Sequence, residues 1–184
     1  FSLAEIKETQ DFVGIKANLN NLLRYGMYPE VFLKPESEAI EELNNIAGDY
    51  LYKDILQYEN LKRSDLLLNL LRALALQVGN EISLNEISRL IGENVNTIKR
   101  YIELLEKTFV IYRLHSFSRN LRKEIAKGQK IYFLDLGIRN ALIQNFNPLS
   151  MRNDVGAMWE NFCIIERMKH NQNSRNFVNT YFWR

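Results

Sequence analysis

Ser83 to Leu114, SLNEISRLIGENVNTIKRYIELLEKTFVIYRL, decides how the rest of the chain is read. Ser83 with Glu86 matches the capping box, in which the hydroxyl satisfies a free backbone N–H and the glutamate reaches back to the cap residue. Leu84, Ile87, Leu90 and Ile91 recur at helical spacing on one face, and Gly92 stands where a helix stops in the left-handed region. Asn94 can cap a second helix whose inward stripe is Ile98, Ile102, Leu105 and Phe109. Asn96, Thr97, Lys99, Arg100, Glu103 and Lys107 lie off that stripe. Phe109 to Leu114 is β-branched and aromatic and reads as a strand, with Lys130 to Leu134 as its return. Two helices around a turn followed by a strand pair is the order of a helix-turn-helix with a wing. Asn, Lys and Arg near the start of the second helix are the types that reach base edges and phosphates in a major groove.

Charge supports that placement. Residues 99 to 130 carry nine Lys or Arg against three Glu, a local net of +6, whereas the whole chain is only +2. Nucleic-acid affinity would therefore come from a patch and not from a wholly basic surface. The candidate contacts are Asn96, Thr97, Lys99 and Arg100 on the second helix, and Arg119, Arg122 and Lys123 on the wing. The same geometry is also a compact way to bury three helices, and winged helices bind proteins as well as DNA.

At 184 residues and 46% hydrophobic content the chain can build a sizeable core. One cysteine, Cys163, excludes an internal disulfide and a Cys-rich zinc site. Only His115 and His170 are available for a histidine-based one. The most apolar run, Leu66 to Val78, is too short for a membrane span and is interrupted by Asn69 and Arg72. The expectation is a cytoplasmic protein with no membrane contact.

Along the chain, Ser2 to Ile6 can cap and begin a short helix, and Leu19 to Tyr25 continues the helical pattern with Leu19, Leu22 and Leu23. Tyr25 to Val31 sets Gly26 and Pro29 in a turn where Tyr25 and Tyr28 are expected to cover the core. Glu36 to Asp49 has five acids and no base, the solvated face of a helix with Ile40, Leu43 and Ile46 inside. Tyr50 to Tyr58 extends the helical region. Ser64 caps the central helix, apolar on more than one face through Leu66, Leu67, Leu70, Leu71, Leu74 and Val78, which Gly79 ends. Asp135 opens a further helix, and Asp154 another with the stripe Val155, Met158, Trp159, Phe162 and Ile165. The chain closes on an aromatic strand, Phe177 to Arg184, whose backbone groups need partners, so the sequence reads as a fragment of a longer protein.

Tyr25-Gly-Met-Tyr-Pro-Glu30, Tyr52-Lys-Asp-Ile-Leu56, Tyr101 to Lys107 with Phe109, Phe117-Ser-Arg-Asn120, Lys130-Ile-Tyr-Phe-Leu-Asp135 with Gly137, Trp159-Glu-Asn-Phe162 and Tyr181-Phe-Trp-Arg184 form an ordered set. In it the chain resembles the C-terminal region, a domain of unknown function, of a family of bacterial and archaeal AAA-type ATPases. The resemblance implies a winged-helix-like segment after an ATPase domain, then the start of a region similar to the restriction-nuclease-like superfamily. There a helix acid, matched by Glu160, joins a later Asp and Glu-x-Lys to hold magnesium. The later residues are absent, so Glu160 is a weak catalytic candidate, and an amphipathic helix would expose such a carboxylate anyway. None of the eight glycines opens the phosphate-cradling G-x-x-x-x-G-K-[ST], so ATP and magnesium are implied for the parent alone.

The expected architecture is mainly α with a small β component. A helical region spans residues 1–80, a winged-helix domain 81–147, and the start of an α/β region 148–184. The expected role is a non-catalytic accessory module of an AAA-type ATPase that contacts double-stranded DNA. The alternatives are a protein-interaction or oligomerisation module acting on the ATPase domain or another copy, and part of a metal-dependent nuclease completed downstream.

Overall fold

The structure is a computed structural model describing residues 1–9, 12–50, 63–117, 128–176 and 178–183. Helices make up most of it: α1 (Leu3–Thr9), α2 (Phe12–Tyr25), α3 (Pro29–Phe32) and α4 (Glu36–Asn45), which runs into a wider π-type turn over Ile46–Tyr50. After α5 (Ser64–Leu76) come β1 (Glu81–Ile82), α6 (Leu84–Ile91), α7 (Val95–Lys107), β2 (Ile111–Ser116) and β3 (Gln129–Phe133). The chain then forms α8 (Leu136–Leu142), α9 (Val155–Asn173) and β4 (Tyr181–Phe182).

The four strands form one mixed sheet in the order β1-β3-β2-β4. β3 runs antiparallel to both neighbours, pairing Glu81 with Lys130 on one side and Ile111 with Phe133 on the other. β4 lies parallel to β2, with His115 opposite Tyr181 and Ser116 opposite Phe182.

α5 is the central helix, and Leu67, Leu70, Leu71 and Leu74 are fully buried on it. Side chains of this size contribute about 1.5–3 kcal/mol each on full burial. They join one apolar cluster that runs from Tyr25 and Leu43 through Ile87, Ile102 and Phe133 to Ile165, drawing on all three sequence regions. A smaller cluster seats α1 and α2 on α8 and α9 through Ile6, Leu22, Met27, Leu136, Met158 and Phe162.

Several side chains depart from their expected places. Phe109 is 76% exposed, and its φ of +57° ends α7 where the apolar spacing would have continued it. The stop is a Schellman turn: Phe109 N–H donates to Glu106 O, Val110 N–H to Leu105 O, and Val110 packs inward instead. Leu90 is 68% exposed; consecutive helix residues are about 100° apart, so Ile91 takes the inward place and turns its neighbour out. Trp159 and Tyr28 are also largely outside, at 45% and 39% exposure. Arg63, not Ser64, is the N-cap of α5, and it makes no side-chain cap bond. The expected strand at 177–184 is described as the short β4, and the helical extension expected over 50–58 lies, beyond Tyr50, outside the described residues.

Candidate nucleic-acid interface

The interface is built on two capped helices. Ser83 Oγ accepts from Glu86 N–H at 3.3 Å and starts α6. Gly92, at φ +75°, ends it by donating to Ser88 O. Asn94 Oδ1 then accepts from Asn96 N–H at 2.8 Å and starts α7. The pair is two helices around a left-handed turn, not one continuous rod.

α7 buries Ile98, Tyr101, Ile102, Leu104 and Leu105. Asn96, Lys99, Arg100 and Lys107 are exposed, and Thr97 is half-buried. Lys99 stands 4.0 Å from Glu103, with both side chains largely in solvent, so that pair contributes little and does not hide the charge. Glu106 is committed elsewhere, to Arg113 of β2, with Nε at 2.7 Å. The structure therefore brings Asn96, Thr97, Lys99 and Arg100 together at the start of one helix. The remaining sequence-derived contacts, Arg119, Arg122 and Lys123, lie outside the described residues.

Glu160 on α9 is tied to the sheet. Its Oε1 accepts from Lys130 Nζ at 2.9 Å and from Tyr132 Oη at 2.7 Å. Burial pushes its pKa up, but the two donors more than offset this and leave the carboxyl below the ordinary range. It is an anchor for α9. Among the described residues no three His, Cys, Asp or Glu side chains gather as a metal site.

Sequence reasoning missed three polar features. Asn161 clamps Phe133 on β3, its Oδ1 accepting from the backbone N–H and its Nδ2 donating to the carbonyl, both at 2.8 Å. Arg139 and Arg152, nearly fully buried, share Asp154 and the side-chain Oδ1 of Asn140. Asp135 caps α8 by accepting from Ile138 N–H at 3.1 Å and also accepts from Met27 N–H at 2.7 Å. Asp135 and Asp154 are legible as helix starts, but their long-range partners have no periodic signature.

A family model described as a domain of unknown function, DUF8612, matches residues 16–149. The chain belongs to the DUF8612 family. The DUF8612 match takes in α3 to α8 and so contains the whole candidate interface. An uncharacterized protein of Methanocaldococcus jannaschii is 27% identical over 157 residues, covering 80% of this chain and 33% of the relative. An uncharacterized protein of Haemophilus influenzae is 26% identical over 125 residues, covering 65% of this chain and 31% of the relative. This DUF8612 chain thus spans about a third of the length of the curated relatives it matches. No solved structure matches. Among the described residues no helix is long and apolar enough to cross a membrane.

Proposed function

We propose that β1, α6, α7, β2 and β3, with α5 packed on them, form a winged helix that binds duplex DNA, as a non-catalytic accessory module of a cytoplasmic AAA-type ATPase. The observation that carries the reading is α7, which hides its aliphatic side while offering Asn96, Lys99 and Arg100 to solvent at its N-terminal end. Side chains there reach base edges when such a helix enters a major groove. The element order also fits, with helix, strand, two helices and two strands, and β3 lying between β1 and β2. Relatives of which the match covers only about a third leave room for an ATPase domain, which in this reading holds the ATP and magnesium.

Fluorescence anisotropy with a labelled duplex over a salt series tests it. Each phosphate contact adds about 0.9 to the slope of log affinity against log salt. Lys99→Ala with Arg100→Ala is expected to weaken binding and reduce that slope by roughly two. Unchanged affinity at low salt would end the DNA reading.

A second reading, a protein-interaction surface, is favoured by Phe109 and Leu90, two large apolar side chains 76% and 68% exposed. It predicts concentration-dependent sedimentation, or partner capture, that Phe109→Ser with Leu90→Ser abolishes.

A further inference from the structure

With about 100° of turn per residue, Asn96, Arg100, Glu103 and Lys107 fall on one stripe of α7, opposite the buried Ile98, Tyr101, Ile102 and Leu105. A helix that merely held phosphates would carry cations along such a stripe. Glu103 interrupts it with a carboxylate, and that side chain is 42% exposed. The next acid, Glu106, is spent inside the fold on Arg113.

Glu103 is poorly explained as a helix stabiliser. Its partner Lys99 stands one turn earlier at 4.0 Å, with both side chains largely in solvent. Acid before base is the favourable order for such a pair along a helix, and here the base comes first. The pair is therefore loose, and docking on a duplex can open it, turning Lys99 to a phosphate and Glu103 to a base edge. At the other end of the stripe, the Asn94 cap takes the backbone N–H of Asn96 at 2.8 Å. The exposed Asn96 amide is not what starts the helix.

We propose that Asn96 and Glu103 make α7 a selective reader of base sequence, Asn96 bonding an adenine through its amide and Glu103 accepting from a cytosine amino group. The inference rests on the duplex-binding reading of α7 and names the duplex that it takes. In the major groove an Asn amide matches adenine N6 and N7, and a carboxylate matches cytosine N4. Opposite a base that offers only acceptors, a carboxylate between two phosphate walls is repelled, so Glu103 penalises a wrong sequence. From Asn96 to Glu103 the helix rises about 10 Å, and base pairs stack about 3.4 Å apart. The adenine and the cytosine therefore lie within about three base pairs of each other.

The test selects from a randomised duplex library with this chain, sequences what is retained, and compares the enriched duplex with a scrambled one by anisotropy. The expected result is an enriched adenine and cytosine at that separation, with a roughly tenfold or greater preference over the scrambled duplex. Asn96→Ala should erase the preference at the adenine. Glu103→Gln should erase it at the cytosine and tighten binding to the scrambled duplex, a gain that an unfolded variant could not produce. If all duplexes are retained alike, the base assignment is wrong while the α7 reading stands. If a sequence is enriched but Glu103→Gln changes neither the profile nor the affinity for the scrambled duplex, Glu103 is not a reader and the proposal falls. Absence of duplex binding at low salt overturns both readings.

Discussion

Phe109 sits in a backbone region that costs an ordinary side chain about 1–2 kcal/mol, yet its ring is mostly in water and returns little by burial. Phe109→Gly is therefore expected to stabilise the fold by about 1 kcal/mol, read as a Tm raised by a few degrees. Gly137 is the opposite case. A Cβ there would lie 2.2 Å from the Tyr25 carbonyl oxygen, a backbone atom that cannot step aside. Gly137→Ala should cost about 2 kcal/mol or more in chemical denaturation. Asp154 supplies a pH signature. Burial raises its pKa, but the bonds from Arg152 and Arg139 override that and hold the carboxyl well below its usual range. A depressed folded pKa contributes stability above the unfolded value, about 4, that is lost as the pH falls toward the folded one. Asp154→Asn should flatten the acid limb of the stability profile. At neutral pH it should cost about 3 kcal/mol, because two buried guanidinium groups lose their counter-charge.

Among the elements, β3 shows how a short sheet is finished without a long neighbour. β1 pairs only with Gln129 and Lys130; further along, Gly79 N–H donates to Ile131 O at 3.3 Å and the Asn161 amide takes both polar groups of Phe133. Asn161→Leu preserves bulk but strands a buried N–H and C=O, so a loss of about 2–4 kcal/mol is expected by urea unfolding. The helices whose ends carry local chemistry are legible from sequence: Ser83, Asn94 and Asp135 each cap through a side chain, and Gly92 adopts the expected left-handed turn. Spacing alone misplaces Phe109, because a phenylalanine fills the position where a helix stop normally shows glycine. Asn161 enters the sequence reading only within a resemblance, since an amide meeting a strand 28 residues away leaves no period to detect.

For the whole molecule, motif pieces far apart in sequence converge. Asn140 Nδ2 donates to the carbonyls of Leu23 and Arg24, Asp135 accepts from Met27 N–H, and Gly137 lies against Tyr25. The turn at residues 25–30 and the start of α8 are thus one junction. What sequence could not supply is this long-range bonding, because periodicity reports which face is apolar and not what it meets. The candidate site is half legible: α7 carries its expected polar face, while Arg119, Arg122 and Lys123 are outside the described residues. The amide clamp on β3 has a consequence for assembly. With Gly79 and Asn161 holding the polar groups of β3 past the end of β1, a strand from another chain could not lengthen the β1 pairing along β3 without displacing them.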